Sequence, residues 1–481
     1  MIGISRRRFL AAGATAAIAA PFARVGHAHP GSTQLRAARR VIEVDGKAAA
    51  VFGLIQPDGR HGIVADAGKR FHVQLVNQLD EHTLVHWHGL TPPSDQDGVP
   101  ELSQPALKAG TDYEYDFLLA RPGTNWMHSH VGLQEQQLLT APLIVRDPAE
   151  VTRDEQEVVV LLHDFIFRDP AEILAGLSGG MDEARDMEGM AGMDHPATNH
   201  GSGSMTAMQP HLNDIDFDAY LANDRTLGDP ETVRVEAGGR VRLRIINAAS
   251  STNFWLDLGA LTGDLVAVDG HAIAPLPGRR FPLAIAQRAD IRLRLPAGAG
   301  AYPILAVREG DTARTGIILA TAGAAIARIP DRAEAPTGAL DLDLERRLVA
   351  ADGSLAGAAD RPVRRHILEL TGNMMGFVWG FNGLRFGEDT PLVVQQGERV
   401  EIRLVNRTDM SHPIHLHGHP FQVIAIDGSS FAGALRDTVL VPVGGTVTIA
   451  FAADNPGHWA FHCHNLYHMA AGMMTSVRYE A

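Results

Sequence analysis

Three stretches of the chain share one alternation of apolar and polar residues. They read GKRFHVQLVNQLDEHTLVHWHG (68–89), GRVRLRIINAASSTNFWLDLG (239–259) and GERVEIRLVNRTDMSHPIHLHG (397–418). In each, a period-two run predicts a strand that ends at an asparagine: Asn77, Asn247 or Asn406. A glycine stands twelve residues beyond each asparagine, at Gly89, Gly259 and Gly418. A second frame closes each copy. PGTNWMHSH (122–130) and PGHWAFHCH (456–464) align without a gap, and GAYPILAV (300–307) is taken as the middle counterpart. The pattern predicts an all-β chain of three tandem Greek-key sandwiches, units of roughly 110 to 170 residues. Apolar periodicity lapses at 146–157 and 322–338, which places the units at 29–150, 151–325 and 326–481.

Composition narrows this only a little. A hydrophobic share of 45% supplies material for several cores, and 49 glycines with 27 prolines suit a turn-rich β chain. The net charge of −14 argues against nucleic acid or an anionic membrane as partner. A single cysteine permits no internal disulfide. The N-terminus, SRRRFLAAGATAAIAAPFARVGHAHP, matches a twin-arginine export signal through Ser5, Arg6, Arg7, Phe9 and Leu10. Its apolar run (10–20) is too short to span a bilayer, so removal near Ala28 is expected to release a soluble periplasmic protein without a membrane span.

Chemistry enters at the ends of the two frames. Residues two apart on a strand share a face, so a His-x-His pair can aim both imidazoles at one place. Four such pairs occur: His86/His88, His128/His130, His415/His417 and His462/His464. The middle copy has Leu256 and Leu258 at the first pair of positions, with Leu305 and Val307 assigned to the second. A single pair would pass for ordinary core or surface histidines. Four at matching positions, two in the first unit and two in the third, suit several copper or zinc ions, copper fitting better where thiolate and thioether are also recruited. The only cysteine, Cys463, lies between His462 and His464 and must face the other way. His412 is of opposite parity to His415 and His417, and its frame equivalents are Thr83 and Asn253. Cys463, His412, His468 and a weakly bound Met473 therefore form a second set, the His₂Cys arrangement with axial Met of a blue copper site. An inert buried thiol is the competing reading of a lone cysteine.

Together HWHG, HSH, HPIHLHG and HCHNLYHMAAGM resemble the four copper motifs of the three-domain multicopper oxidases, the laccase-like family, over residues of roughly 40 to 481. The resemblance implies cupredoxin-like domains and four copper ions. It implies a type 1 ion on His412, Cys463, His468 and Met473, and a type 2 ion on His86 and His415. A type 3 pair would sit on His88, His128, His130, His417, His462 and His464. It also implies that electrons from a reductant pass through Cys463 to the cluster, where O₂ becomes water. Asp97, nine residues after His88, matches an acidic proton donor of similar oxidases. Some bacterial relatives place Glu directly after the type 1 histidine, where this chain has Met469.

The stretch 178–213 is polar, glycine-rich and crowded with Met181, Met187, Met190, Met193, Met205 and Met208. Thioethers select Cu(I), and the stretch resembles the Met-rich insertions of periplasmic copper-tolerance oxidases. Its alternative is a low-complexity spacer. The expected activity is cuprous oxidation, with phenol oxidation alongside, by a monomer. Alternatives are a phenol or aromatic-amine laccase proper and a non-enzymatic copper store.

Overall fold

The computed structural model describes residues 32–188, 212–351, 355 and 361–480. The export signal and Met190, Met193, Met205 and Met208 lie outside the described residues. Strands dominate, arranged in six sheets among the described residues. Two sheets belong to each repeat, and the fold is the tandem of sandwiches that the alternation predicts, with the cupredoxin-like architecture that the resemblance implies.

The repeated asparagines explain why one frame folds three times. Each ends a central strand: Arg70–Asn77, Arg240–Asn247 and Arg399–Asn406. In every copy the strand pairs parallel with the first strand of its unit and antiparallel with a later one. The asparagine amide then ties down the corner where the chain leaves for the facing sheet. Asn77 Nδ2 donates to Glu81 O at 2.8 Å and Leu107 O at 3.0 Å. Asn247 Nδ2 donates to Thr252 O at 2.9 Å and Leu283 O at 3.1 Å. Asn406 Nδ2 donates to Met410 O at 2.7 Å and Val441 O at 3.0 Å. All three sit in the interior, where only a partnered amide is tolerated.

In the facing sheet the second frame lies against the first. His86 stands opposite His128 in the first unit, and His415 opposite His462 in the third. The middle unit corrects the alignment made from sequence. Strand Phe254–Asp257 pairs with Ala301–Arg308 so that Leu256 faces Ala306. The counterparts of the second histidine pair are therefore Ala306 and Arg308, not Leu305 and Val307. Anchoring on Gly300 slipped the register by one residue, which exchanges the two faces of a strand.

One helix interrupts the β pattern beside the Met-rich stretch. Pro170–Glu188 begins with Pro170 at its first position, and Asp169 Oδ1 caps it by accepting from Ala171 N at 2.8 Å. Met181 and Met187 fall within it. Ile173, Leu174 and Leu177 pack on the apolar core of the third unit, the cluster that contains Cys463 and Met473. The middle unit thus lays a helix against its neighbour.

Candidate metal centres

The eight histidines of the four pairs converge between the first and third units. Seven are buried and His130 is partly so. Their inward nitrogens crowd together. His417 Nε2 is 3.0 Å from His462 Nε2, His130 Nε2 is 3.3 Å from the same atom, His464 Nε2 is 3.3 Å from His128 Nε2, and His415 Nε2 is 3.5 Å from His86 Nε2. The outward nitrogens are already engaged. His86 Nδ1 donates to Asp97 O at 2.8 Å, His415 Nδ1 to Asp437 O at 2.8 Å, His128 Nδ1 to Ser129 O at 3.1 Å and His462 Nδ1 to Cys463 O at 2.9 Å. A carbonyl only accepts, so each of these rings carries its proton outward and turns a lone pair inward. Burial, with the neighbouring imidazoles, holds His88, His128, His130, His415, His417 and His464 well below the usual histidine range, and His462 is lowered to about 4. Neutral rings with opposed lone pairs repel one another unless cations lie between them, and they are the donors that Cu and Zn accept. Ligand atoms gather into the triads His88/His128/His464, His130/His417/His462 and His86/His88/His415, each within 4.8 Å. The first two contain all six residues that the resemblance assigns to a type 3 pair.

On the other face of strand His458–Cys463, the thiol meets a different set. Cys463 Sγ lies 3.6 Å from His412 Nδ1 and 3.8 Å from His468 Nδ1, and those two nitrogens are 3.1 Å apart. All three side chains are buried. Met473 is buried in the same apolar cluster, and its backbone brackets the site: its O accepts from Cys463 N at 3.0 Å and its N donates to His468 O at 2.9 Å. His468 is presented by the short helix Leu466–Ala470, capped by the Asn465 side chain, and it stacks on Trp379 at 4.2 Å. His412 is fixed by Thr408 Oγ1 at 2.7 Å from its Nε2. Burial pushes the Cys463 thiol up, so a thiolate forms here only beside a cation. The donor set suits copper, with one soft sulfur and two imidazoles.

Multicopper oxidase family models match residues 59–150, 192–328 and 361–481. The multicopper oxidase MmcO of Mycobacterium tuberculosis is 33% identical over 429 residues, 87% of this chain and 81% of that protein. The chain belongs to the multicopper oxidase family. A copper resistance protein A homolog of Pseudomonas syringae pv. tomato is 28% identical over 86% of each chain. Among solved structures, the laccase of Botrytis aclada superposes with a TM-score of 0.73 at 24% identity, over 92% of this chain and 86% of that one. A multi-copper oxidase of Pseudomonas thermotolerans gives 0.69 at 24%, over 93% and 99%. These two show the shared fold. Copper is the cofactor the family implies, and the donor sets described above fit it.

Around the clustered histidines of this multicopper oxidase lies a ring of buried acids, most of which sequence reasoning missed. Asp97, which was expected, has Oδ2 at 2.8 Å from His417 Nδ1 and Oδ1 at 3.3 Å from His86 Nδ1. Glu135 Oε2 is 2.8 Å from His128 Nδ1, and burial, with Asp164 nearby, raises this carboxyl well above its ordinary range. Asp437 Oδ1 is 3.0 Å from His88 Nε2. Asp214 Oδ2 is 3.1 Å from His468 Nε2, with both side chains fully enclosed. Asp214 and Asp437 reach their histidines from 254 and 349 positions away, so no local spacing could have revealed them.

Proposed function

We propose that the chain is an exported multicopper oxidase that oxidises cuprous ion, with phenols as a side reaction, and reduces O₂ to water. The observation that carries this reading is a single strand with donors on both faces. Cys463 joins His412 and His468 on one side, while His462 and His464 enter the cluster on the other. A copper store has no use for such a link. On this reading the chain is a monomer with units at 29–150, 151–325 and 326–481, and the export signal sends it to the periplasm. Among the described residues no helix is long and apolar enough to cross a membrane.

Four ions would be held: one by His412, Cys463, His468 and Met473, one by His86 and His415, and two by His88, His128, His130, His417, His462 and His464. When bound, they supply one-electron acceptance at the Cys463 site and four-electron reduction of O₂ at the cluster. The remaining work belongs to the chain. Cys463 connects the two sites through its own backbone, and the bond from His462 Nδ1 to Cys463 O shortens that path. Carbonyls and carboxylates hold the imidazole protons outward. Asp97 Oδ1 makes no hydrogen bond and is placed to carry protons toward the cluster, which needs four for each O₂.

The preference for Cu(I) over phenols is supported by the closed edge of His468. Its Nε2 abuts Asp214, Trp379 covers its face, and helix Pro170–Glu188 packs against the same core. A ring-sized reductant has no bare imidazole edge to touch. A small soft ion needs only thioethers nearby, and the Met-rich stretch begins in that helix and runs on to Asp214 in sequence. Steady-state O₂ uptake by the copper-loaded protein tests the reading, with Cu(I) and a phenol compared at equal enzyme. Cuprous ion should be consumed faster, at four ions per O₂. Uptake driven by the phenol alone would make the chain a laccase proper, and no uptake with either would leave only a copper-binding protein.

A further inference from the structure

The middle unit has no ligand pair, yet one of its arginines reaches the histidine cluster. Arg288 opens strand Arg288–Arg294 and is fully buried. Its Nη1 donates to Asp437 Oδ1 of the third unit at 2.7 Å, and its Nη2 donates to Asp437 Oδ2. Its Nε donates to Thr124 O of the first unit at 3.1 Å. The guanidinium therefore clamps all three units at one point. Gly89, which ends the HWHG motif, makes room for it. A Cβ there would stand 2.6 Å from Arg288 Nη2 and 2.4 Å from Asn125 Oδ1, on a backbone with φ of +94°.

Asp437 passes this restraint to one ligand in particular. Seven of the eight rings turn Nε2 toward the cluster, and His88 is reversed. Its Nε2 points out to Asp437 Oδ1 at 3.0 Å, and its Nδ1 makes no hydrogen bond. A carboxylate receiving two guanidinium bonds can only accept, so His88 Nε2 holds the proton and Nδ1 keeps the lone pair. The same residue's backbone O fixes His415 Nδ1 at 2.8 Å. We infer that Arg288 is a positioning residue of the oxygen-reducing centre: by clamping Asp437 it sets the tautomer and ring orientation of His88. The ligand-free unit is in this way part of the cluster. The inference rests on the assignment of His88 as a copper ligand.

The test uses full-length copper-loaded protein carrying Arg288→Met or Arg288→Lys. Readouts are bound copper per chain, the blue absorption of the thiolate site, and the electron paramagnetic resonance spin count. Both variants should keep the blue absorption, because Cys463 faces away from Arg288. Both should show weaker copper retention at the cluster, and a coupled, spin-silent pair should become partly visible. Disturbing such an outer support lowers metal affinity or turnover about 10- to 100-fold. Arg288→Met strands a buried carboxylate; if it does not fold, the Lys variant, which keeps the charge but loses the fork, decides alone. Wild-type stoichiometry and spin count in a folded variant would overturn the inference. So would equal loss of blue colour and cluster copper in the Lys variant, since that marks a merely structural residue. A wild-type protein with no spin-silent pair would instead defeat the ligand assignment itself.

Discussion

The middle and third units are built on one frame and differ at the four positions that matter. Where the third has His415, His417, His462 and His464, the middle has Leu256, Leu258, Ala306 and Arg308. Leu256, Leu258 and Ala306 are buried in the middle unit's apolar core. Arg308 is satisfied by Ile215 O at 2.9 Å and Asp311 at 3.1 Å. Asn253, in the place of His412, donates to Glu309 Oε2 at 2.8 Å. The frame thus delivers these positions to an interior whatever their chemistry, and either packing or metal can satisfy it. Without histidine pairs, the middle unit supplies support: Asp214 beside His468, Arg288 behind Asp437 and His88, and a helix packed on the third unit's core.

The sharpest way to break the comparison is at the one ligand with no counterpart chemistry elsewhere in the chain. Cys463→Ser is expected to abolish the intense visible absorption and nearly all oxidase activity. The cluster should still load, because its eight histidines lie on the other face. Visible spectra and copper analysis of the purified variant check this, and a surviving blue colour would end the thiolate assignment. Asp97→Asn should come next. Losing a proton carrier costs about a hundredfold in O₂ reduction, while reduction of the thiolate site by substrate stays fast. Stopped-flow bleaching of the blue band, set against O₂ turnover, separates the two, and equal turnover across pH 5 to 8 would reduce Asp97 to a structural contact.

Exchanging residues between the units tests whether the frame alone makes a site. Leu256→His puts an imidazole into an apolar core with no partner and should destabilise the chain by about 2 to 4 kcal/mol without adding copper. The reverse change, His415→Leu, should cost the copper-free protein little, since Asp437 O still accepts from Leu416 N and the opposed lone pairs of His415 and His86 are relieved. It should also remove copper from the His86/His415 position. Denaturant titration of both copper-free variants, with copper counts after loading, gives the answer. Copper gained by Leu256→His would show that the surrounding acids and arginine are dispensable.

How far the site was legible follows from the range of its contacts. The His-x-His pairs, the opposite parity of Cys463 and the asparagine corners are written over two to twelve residues, where strand geometry translates spacing into direction. Asp437, Asp214 and Arg288 act across units, and nothing near them in sequence marks the histidines they serve. Glu135 is only seven residues from His128, but an irregular turn separates them, so no periodic rule links the two. The slip that chose Leu305 and Val307 has the same origin. Without histidines the middle strand offered only Gly300 and an apolar run as anchors, and an apolar run fits either face. The start of helix Pro170–Glu188 was hidden by the glycine-rich composition that follows it, while Ile173, Leu174 and Leu177 supply the apolar face that holds it down.

The smallest effect is expected from the stretch that has no counterpart in either neighbouring unit. If Met181, Met187, Met190, Met193, Met205 and Met208 gather Cu(I), replacing all six with serine should raise the apparent KM for cuprous ion, because a hydroxyl binds this soft ion poorly. Turnover at saturation should change little, since the proposed copper ligands are elsewhere. Phenol oxidation should be unchanged or faster. Met181 and Met187 lie in helix Pro170–Glu188, whose start packs on the core that contains Cys463, and the other four precede Asp214, which contacts His468, so none of the six is a ligand the phenol reaction depends on. A spacer without a copper role predicts the same small change for both reductants. Kinetics with Cu(I) and with a phenol, wild type against the six-fold variant, therefore separate the readings. Parallel shifts would sink the cuprous-handling role and leave the oxidase assignment standing, whereas a rise in KM confined to Cu(I) would make the middle unit the part of the molecule that chooses the reductant.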